Sequence, residues 1–177
     1  MSKTEINYDE LIKTQKNTKP AIEGILEIFL EGDRLKNALD FVAYLRENNM
    51  NPRWCAANSW RVTGKKSKPI CRIDLGGTKH IWTSHFGIGD WQISELEGLE
   101  RKYLDDFISD DEVSAFVWDN IKPCQKCSDK CGNRHRTYAG KEFAECCGFV
   151  IKNPGPKGLE IAKKLVEANK NHIYANA

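Results

Sequence analysis

Three cysteines fall within eight residues, Cys124-x2-Cys127-x3-Cys131, and Cys146-Cys147 follow after a gap of fourteen. A CxxC turn directs two sulfurs to one point, and tetrahedral zinc, with Zn–S near about 2.3 Å, accepts two more from a distant segment. The spacing therefore predicts a structural zinc held by Cys124, Cys127, Cys131 and either Cys146 or Cys147, with His135 as a substitute for the fourth sulfur. Lys122, Lys126, Lys130 and Arg134 surround the cluster and would offset the charge of a tetrathiolate. Between Ile121 and Phe143 the only large apolar residue is Tyr138. Without a ligand, this stretch has little to offset an ordering entropy of about 1–2 kcal/mol per residue. Reduced surface thiols remain the plain alternative. An Fe–S cluster is disfavoured by the three-residue gap, and the vicinal Cys146-Cys147 pair leaves thiol redox chemistry open. Cys55 and Cys71 fall in strand-like sequence away from the cluster and read as core thiols.

A second group of residues suggests recognition. Trp54, Trp60, Trp82 and Trp91 lie in or beside a strand-rich stretch, and indoles beyond the needs of packing suit a pocket lined by polar tips. His80, Trp82 and Ser84 share one strand parity, and Arg61 and Thr63 share one on a neighbouring strand. The expected ligand surface is Trp60, Arg61, His80 and Trp82, with Trp60, His80 and Trp82 bordering a concavity. Arg53, Arg61, Lys65, Lys66, Lys68, Arg72 and Lys79, interleaved with these indoles, also fit a stacking and phosphate-binding surface. Residues 51–91 carry seven bases against two acids, however, and residues 92–119 nine acids against two bases. In a compact chain these fields offset one another, so weak, nonspecific nucleic-acid binding is expected at most. No Walker loop, GxGxxG, HExxH, GxSxG or triad pattern is present, and no catalytic residue is assigned.

The elements that would position these residues follow from periodicity. Ile22, Ile25, Leu26 and Phe29 recur at helical spacing before Gly32. A second helix, capped by Asp33, carries Leu35, Ala38, Leu39, Val42 and Leu45 and ends over residues 48–52. From residue 53 the period changes to alternation. Trp54, Ala56, Asn58, Trp60 and Val62 read as one strand, Cys71, Ile73 and Leu75 as the next after a turn at 63–68, and residues 78–86 as a third, forming an antiparallel meander. Ser94-x-x-Glu97 and Ser109-x-x-Glu112 read as capping boxes opening two helices. Residues 122–148 show no clear period and read as a Cys-rich loop, followed by a short strand near 149–151 and a C-terminal helix with Leu159, Ala162, Leu165 and Val166 on its apolar stripe. The fold class is α+β: an antiparallel sheet of three or more strands packed by helices mainly on one face, with a zinc-stapled Cys-rich loop docking the last helix. Residues 1–19 read as a loosely ordered segment with room for one short helix, and residues 20–177 as one domain.

The segment Trp60-Arg61-Val62, Lys65-Lys66, Pro69-Ile70-Cys71, running to Ile81-Trp82, resembles small bacterial α+β domains of the YdhG-like and MmcQ/YjbR-like kind over about residues 35–90. The resemblance implies a compact sheet packed by helices; it carries over no functional residue, and the Cys-rich segment lies outside it. The composition bounds the rest. A chain of 177 residues with 40% apolar and 29% charged residues and a net charge of +2 suits a globular domain, not a disordered one. No apolar run reaches the roughly 18 residues of a membrane span, and the N-terminus lacks the pattern of a signal peptide, so the expected location is cytoplasmic. The expected function is a binding module for a small ligand or protein partner. A thiol- or zinc-dependent enzyme and a weak nucleic-acid-binding protein are the alternatives.

Overall fold

A computed structural model describes residues 7–76, 87–96, 111–122, 135–138, 141–144 and 148–175. Helix α1 (Tyr8–Thr18) opens at Asn7, whose side chain accepts from the Glu10 amide at 3.2 Å, and closes at Lys19 in the left-handed conformation. This is the one short helix allowed within the expected loosely held segment 1–19, of which residues 1–6 lie outside the described residues. Gln15, 1% exposed, donates to Asn58 Oδ1 at 2.6 Å and accepts from the Asn58 amide at 2.8 Å. The segment is apolar-poor, as its sequence indicates, and is held instead by a buried amide pair that no local pattern announces.

Helix α2 (Ile22–Phe29) buries the four residues of its stripe, and α3 (Gly32–Glu47) buries Ala38, Phe41, Val42 and Leu45. Each such large side chain is worth about 1.5–3 kcal/mol once removed from water. Helix α3 begins at Gly32, so Asp33 lies in its first turn, where a carboxylate suits the positive end of the helix dipole.

The expected strand through residues 54–62 is a hairpin. β1 (Arg53–Ala56) turns at Ala57 and Asn58 into β2 (Ser59–Thr63), and Trp54 lies opposite Trp60. Asn58 adopts a φ of 57°, which Asn tolerates better than most residues, and its side chain donates to the Gly76 carbonyl at 3.0 Å. An even number of residues around the turn preserves parity, so alternation alone could not reveal the break. β3 (Pro69–Leu75) pairs with β2, and β4 (Trp91–Ser94) with β3. Ser94, expected to cap a helix, ends β4 and donates from its hydroxyl to Asp74 Oδ2 at 3.2 Å; Glu97, the other half of that expected box, lies outside the described residues.

The sheet is completed at its far edge by β9 (Ile151–Lys152), giving the order β1-β2-β3-β4-β9 with every pair antiparallel. Between β3 and β4 the chain leaves at Gly76 and returns at Gly87. A Cβ on Gly76 would lie 1.7 Å from the Gly87 carbonyl oxygen, so only glycine permits this crossing.

One face of the sheet forms the core. Trp60, Val62, Cys71, Ile73, Leu75, Trp91, Ile93 and Ile151 are all essentially unexposed, and the Phe41 ring of α3 meets the Trp91 ring with centroids 6.2 Å apart. A register shift between Val62 and Thr63 interrupts the alternation on β3, where Ile70 is buried alongside Cys71. Helix α4 (Asp111–Asn120) adds Val113 and Val117 to the core and precedes β5 (Ile121–Lys122). Helix α5 (Pro156–Ala175) begins with proline at its first position, where a missing amide costs nothing. Its Asn169, fully buried, donates to the Ile70 carbonyl at 2.7 Å.

The expected Cys-rich loop contains strands. β6 (His135–Tyr138) and β7 (Lys141–Ala144) form a hairpin, and β5 pairs with β8 (Gly148–Phe149) through Ile121 opposite Phe149 and Lys122 opposite Gly148. The α+β class is thus as expected, with five helices and a five-stranded antiparallel sheet among the described residues. None of these helices is long and apolar enough to cross a membrane.

Candidate functional site on the polar face of the sheet

Alternation along β2, β3 and β4 carries Ser59, Arg61, Arg72, Asp74, Gln92 and Ser94 onto the face opposite the core. The register sets Ser59 against Asp74, Arg61 against Arg72, Arg72 against Ser94 and Asp74 against Gln92. Arg53 on β1 lies opposite Arg61. Three arginines therefore form a row directly across three neighbouring strands, although like charges directly opposite one another oppose pairing.

Two carboxylates act on this row from different sides. Asp74, 9% exposed, accepts from Ser59 Oγ at 2.7 Å, Arg72 Nε at 2.8 Å, Ser94 Oγ at 3.2 Å and Gln92 Nε2 at 3.4 Å. Glu95 receives two parallel bonds from Arg61, Nε to Oε2 and Nη2 to Oε1, each 2.7 Å, and a longer one of 3.4 Å from Arg72 Nη1. The fork-to-carboxylate arrangement is the strong, directional form of the ion pair. The hydrogen bond to Glu95 holds the Arg61 guanidinium above its ordinary pKa. Burial pulls Arg72 down, but the charge and hydrogen bond of Asp74 outweigh it and leave its pKa raised.

Glu95 reaches this position by breaking strand geometry. In a continued strand it would alternate onto the core face after Ser94. Its φ of 57° ends β4 in the left-handed region, a conformation that costs a non-glycine residue about 1–2 kcal/mol. Cys55, exposed rather than buried as expected, joins the same neighbourhood, with Sγ 3.3 Å from Ser59 Oγ and 3.4 Å from the Ser59 carbonyl oxygen. Cys55 shares the parity of Arg53 on β1, so it lies on the polar side of the sheet, away from the core. Cys71 is a core thiol, and burial pushes its pKa well up.

The expected ligand residues separate. Trp60 does not border a concavity: it is fully buried and its indole donates to the Pro20 carbonyl at 3.0 Å, whereas Arg61 points to the polar face. His80 and Trp82, as well as Cys124, Cys127, Cys131, Cys146 and Cys147, lie outside the described residues. Among the described residues no group of three or more His, Cys, Asp or Glu could hold a metal ion. Arg72, Asp74 and Glu95 were missed as a unit. The spacing of Arg72 and Asp74 within an otherwise apolar strand was a legible signal; Glu95 was masked by the capping-box reading of its neighbours.

No protein-family model matches the chain, and no curated protein or solved structure is significantly similar to it.

Proposed function

We propose that this chain is a cytoplasmic binding module that recognises a small ligand on the polar face of its sheet, around Arg61 and Arg72, and that zinc staples its Cys-rich segment. The row formed by Arg53, Arg61 and Arg72 carries the binding reading. Like charges placed opposite one another oppose strand pairing, and this row lies on the face away from the apolar core, which supports a role in recognition. Arg61 and Arg72 are engaged by Glu95 and Asp74, which favours a small, specific ligand over the broad phosphate tracking of nucleic-acid binding. The test is a fragment panel followed by backbone amide shifts. Saturable shifts centred on residues 59–63, 70–75 and 91–95 support the reading; saturable binding that leaves those amides unmoved overturns it.

The zinc reading rests on the spacing of the cysteines and gains support from two strand pairings. Lys122 opposite Gly148 joins the chain two residues before Cys124 to the chain one residue after Cys147, and the hairpin that pairs His135 with Ala144 joins the flanks of Cys131 and Cys146. The described pairings thus tie together both sides of the segments that bear the thiols. Cys124, Cys127, Cys131 and Cys146 or Cys147 would hold the ion in a closed tetrahedral site, contributing folding energy. Elemental analysis of protein purified without added metal should find one zinc per chain, lost on serine substitution of Cys124 and Cys127. Metal-free, fully folded protein overturns the staple.

A further inference from the structure

We infer that the arginine row is an oxyanion site, for a small molecule bearing a carboxylate or phosphate, and that Glu95 is its built-in, displaceable occupant. The inference rests on the binding role proposed for this face and specifies the chemistry of its ligand.

Three observations carry it. First, Arg53, Arg61 and Arg72 are successive cross-strand partners, so their Cα atoms span two strand spacings, about 9–10 Å, along one line on one face. Second, the anion that bridges Arg61 and Arg72 is a carboxylate bound as a ligand carboxylate would be, by a two-pronged guanidinium contact of 2.7 Å on each prong and a further contact at 3.4 Å. Third, Glu95 makes that contact from a left-handed backbone that its side chain disfavours. An external oxyanion could take over the guanidinium contacts while the Glu95 backbone relaxed, so displacement exchanges one anion for another and releases strain.

The network beneath remains in place during such an exchange. Asp74 keeps Arg72 oriented through Nε, and Ser59 Oγ accepts from the same Nε at 2.8 Å while donating to Asp74. Arg72 Nη1 and the fork of Arg61 are the groups set free. The Arg61 side chain is 41% exposed and that of Glu95 26%, so the exchange needs no opening of the core. Arg53 is exposed at the end of the row and has no ion partner among the described residues. It is available for a second anionic group of the same ligand.

The experiment compares the full-length protein with Glu95→Gly, which removes the occupant and suits the left-handed backbone, and with the double variant Glu95→Gly/Arg61→Gln. Inorganic phosphate and acetate are titrated separately at fixed ionic strength, with the amides of Arg61 and Arg72 as the readout and circular dichroism to verify the fold. Glu95→Gly should bind at least one of the two anions at least tenfold more tightly than the unaltered protein, and the double variant should lose that gain. The better anion distinguishes a phosphate from a carboxylate ligand. A folded Glu95→Gly protein that shows no saturable shift with either anion, or a gain that persists without Arg61, overturns the inference. If neutral or cationic fragments bind this face while both anions fail, the binding role of the face stands and the oxyanion assignment alone falls. Should Glu95→Gly fold poorly, Glu95→Asn provides the comparison, because Asn tolerates the left-handed backbone and its shorter, uncharged side chain removes the anionic occupant.

Discussion

Trp60 and Arg61 are adjacent in sequence and belong to opposite halves of the molecule: the indole of Trp60 is sealed in the core against the Pro20 carbonyl, and the guanidinium of Arg61 clasps Glu95 on the far face of the sheet. The two-residue period of a strand makes this separation obligatory. A ligand contacting Arg61 cannot stack on Trp60 without unfolding β2. Recognition and stability can therefore be altered independently at neighbouring positions.

Trp60→Phe should destabilise the protein by about 1–3 kcal/mol, from the void left by the lost ring and the unpaired Pro20 carbonyl. Urea denaturation measures the loss. The difference in acrylamide quenching between the two proteins should show that Trp60 is inaccessible in the native state.

Asp74→Ala removes the acceptor shared by Ser59, Arg72, Gln92 and Ser94 and leaves Arg72 half-buried beside fewer negative charges. The expected cost is about 2–3 kcal/mol, larger than that of an exposed ion pair. Asp74→Asn, which can still accept from Ser59 Oγ and Arg72 Nε through Oδ1, should recover part of it. Equal losses in the two variants would show that charge, not hydrogen bonding, is what Asp74 supplies.

The two described thiols should differ in reactivity. Cys55 is exposed and should be alkylated in the native protein; Cys71 is buried and should be labelled only on unfolding, as peptide mapping by mass spectrometry would show. Because the folded Cys71 pKa lies above its ordinary value of 9.0, its contribution to stability is intact below that value. As pH rises beyond it, the unfolded chain ionises first and stability falls. Cys71→Ala should flatten this alkaline loss while costing stability at neutral pH.

Asp90 accepts from Asn153 Nδ2 at 2.7 Å and pairs with Lys152 at 2.8 Å and Arg34 at 3.2 Å. Burial works against its charge, but Lys152, Asn153 and the Gly87 amide more than compensate, so its folded pKa lies below the ordinary 3.8. The stabilisation is present above that value and disappears as pH falls through the folded pKa. Asp90→Asn should cost about 1 kcal/mol at pH 7. Chemical denaturation repeated at successively lower pH below 3.8 should show the two proteins converging.

What the sequence determined by itself was the set of elements whose patterns are local. Ile22, Ile25, Leu26 and Phe29 mark one helix face, and Leu159, Ala162, Leu165 and Val166 mark another, because a helical stripe is written within a few turns of chain. The alternation through Cys71, Ile73 and Leu75 likewise revealed which side of β3 faces the core. The tertiary structure decided the features that depend on distant partners. Gln15 is buried only because Asn58 meets it, and Trp54 and Trp60 face each other only because the chain reverses between them. Glu95 sits among arginines because strand register aligns Arg61 with Arg72 and a left-handed residue turns the carboxylate toward them. A local pattern specifies which faces are apolar. Register and backbone handedness, set by long-range packing, decide which polar groups meet on the other side.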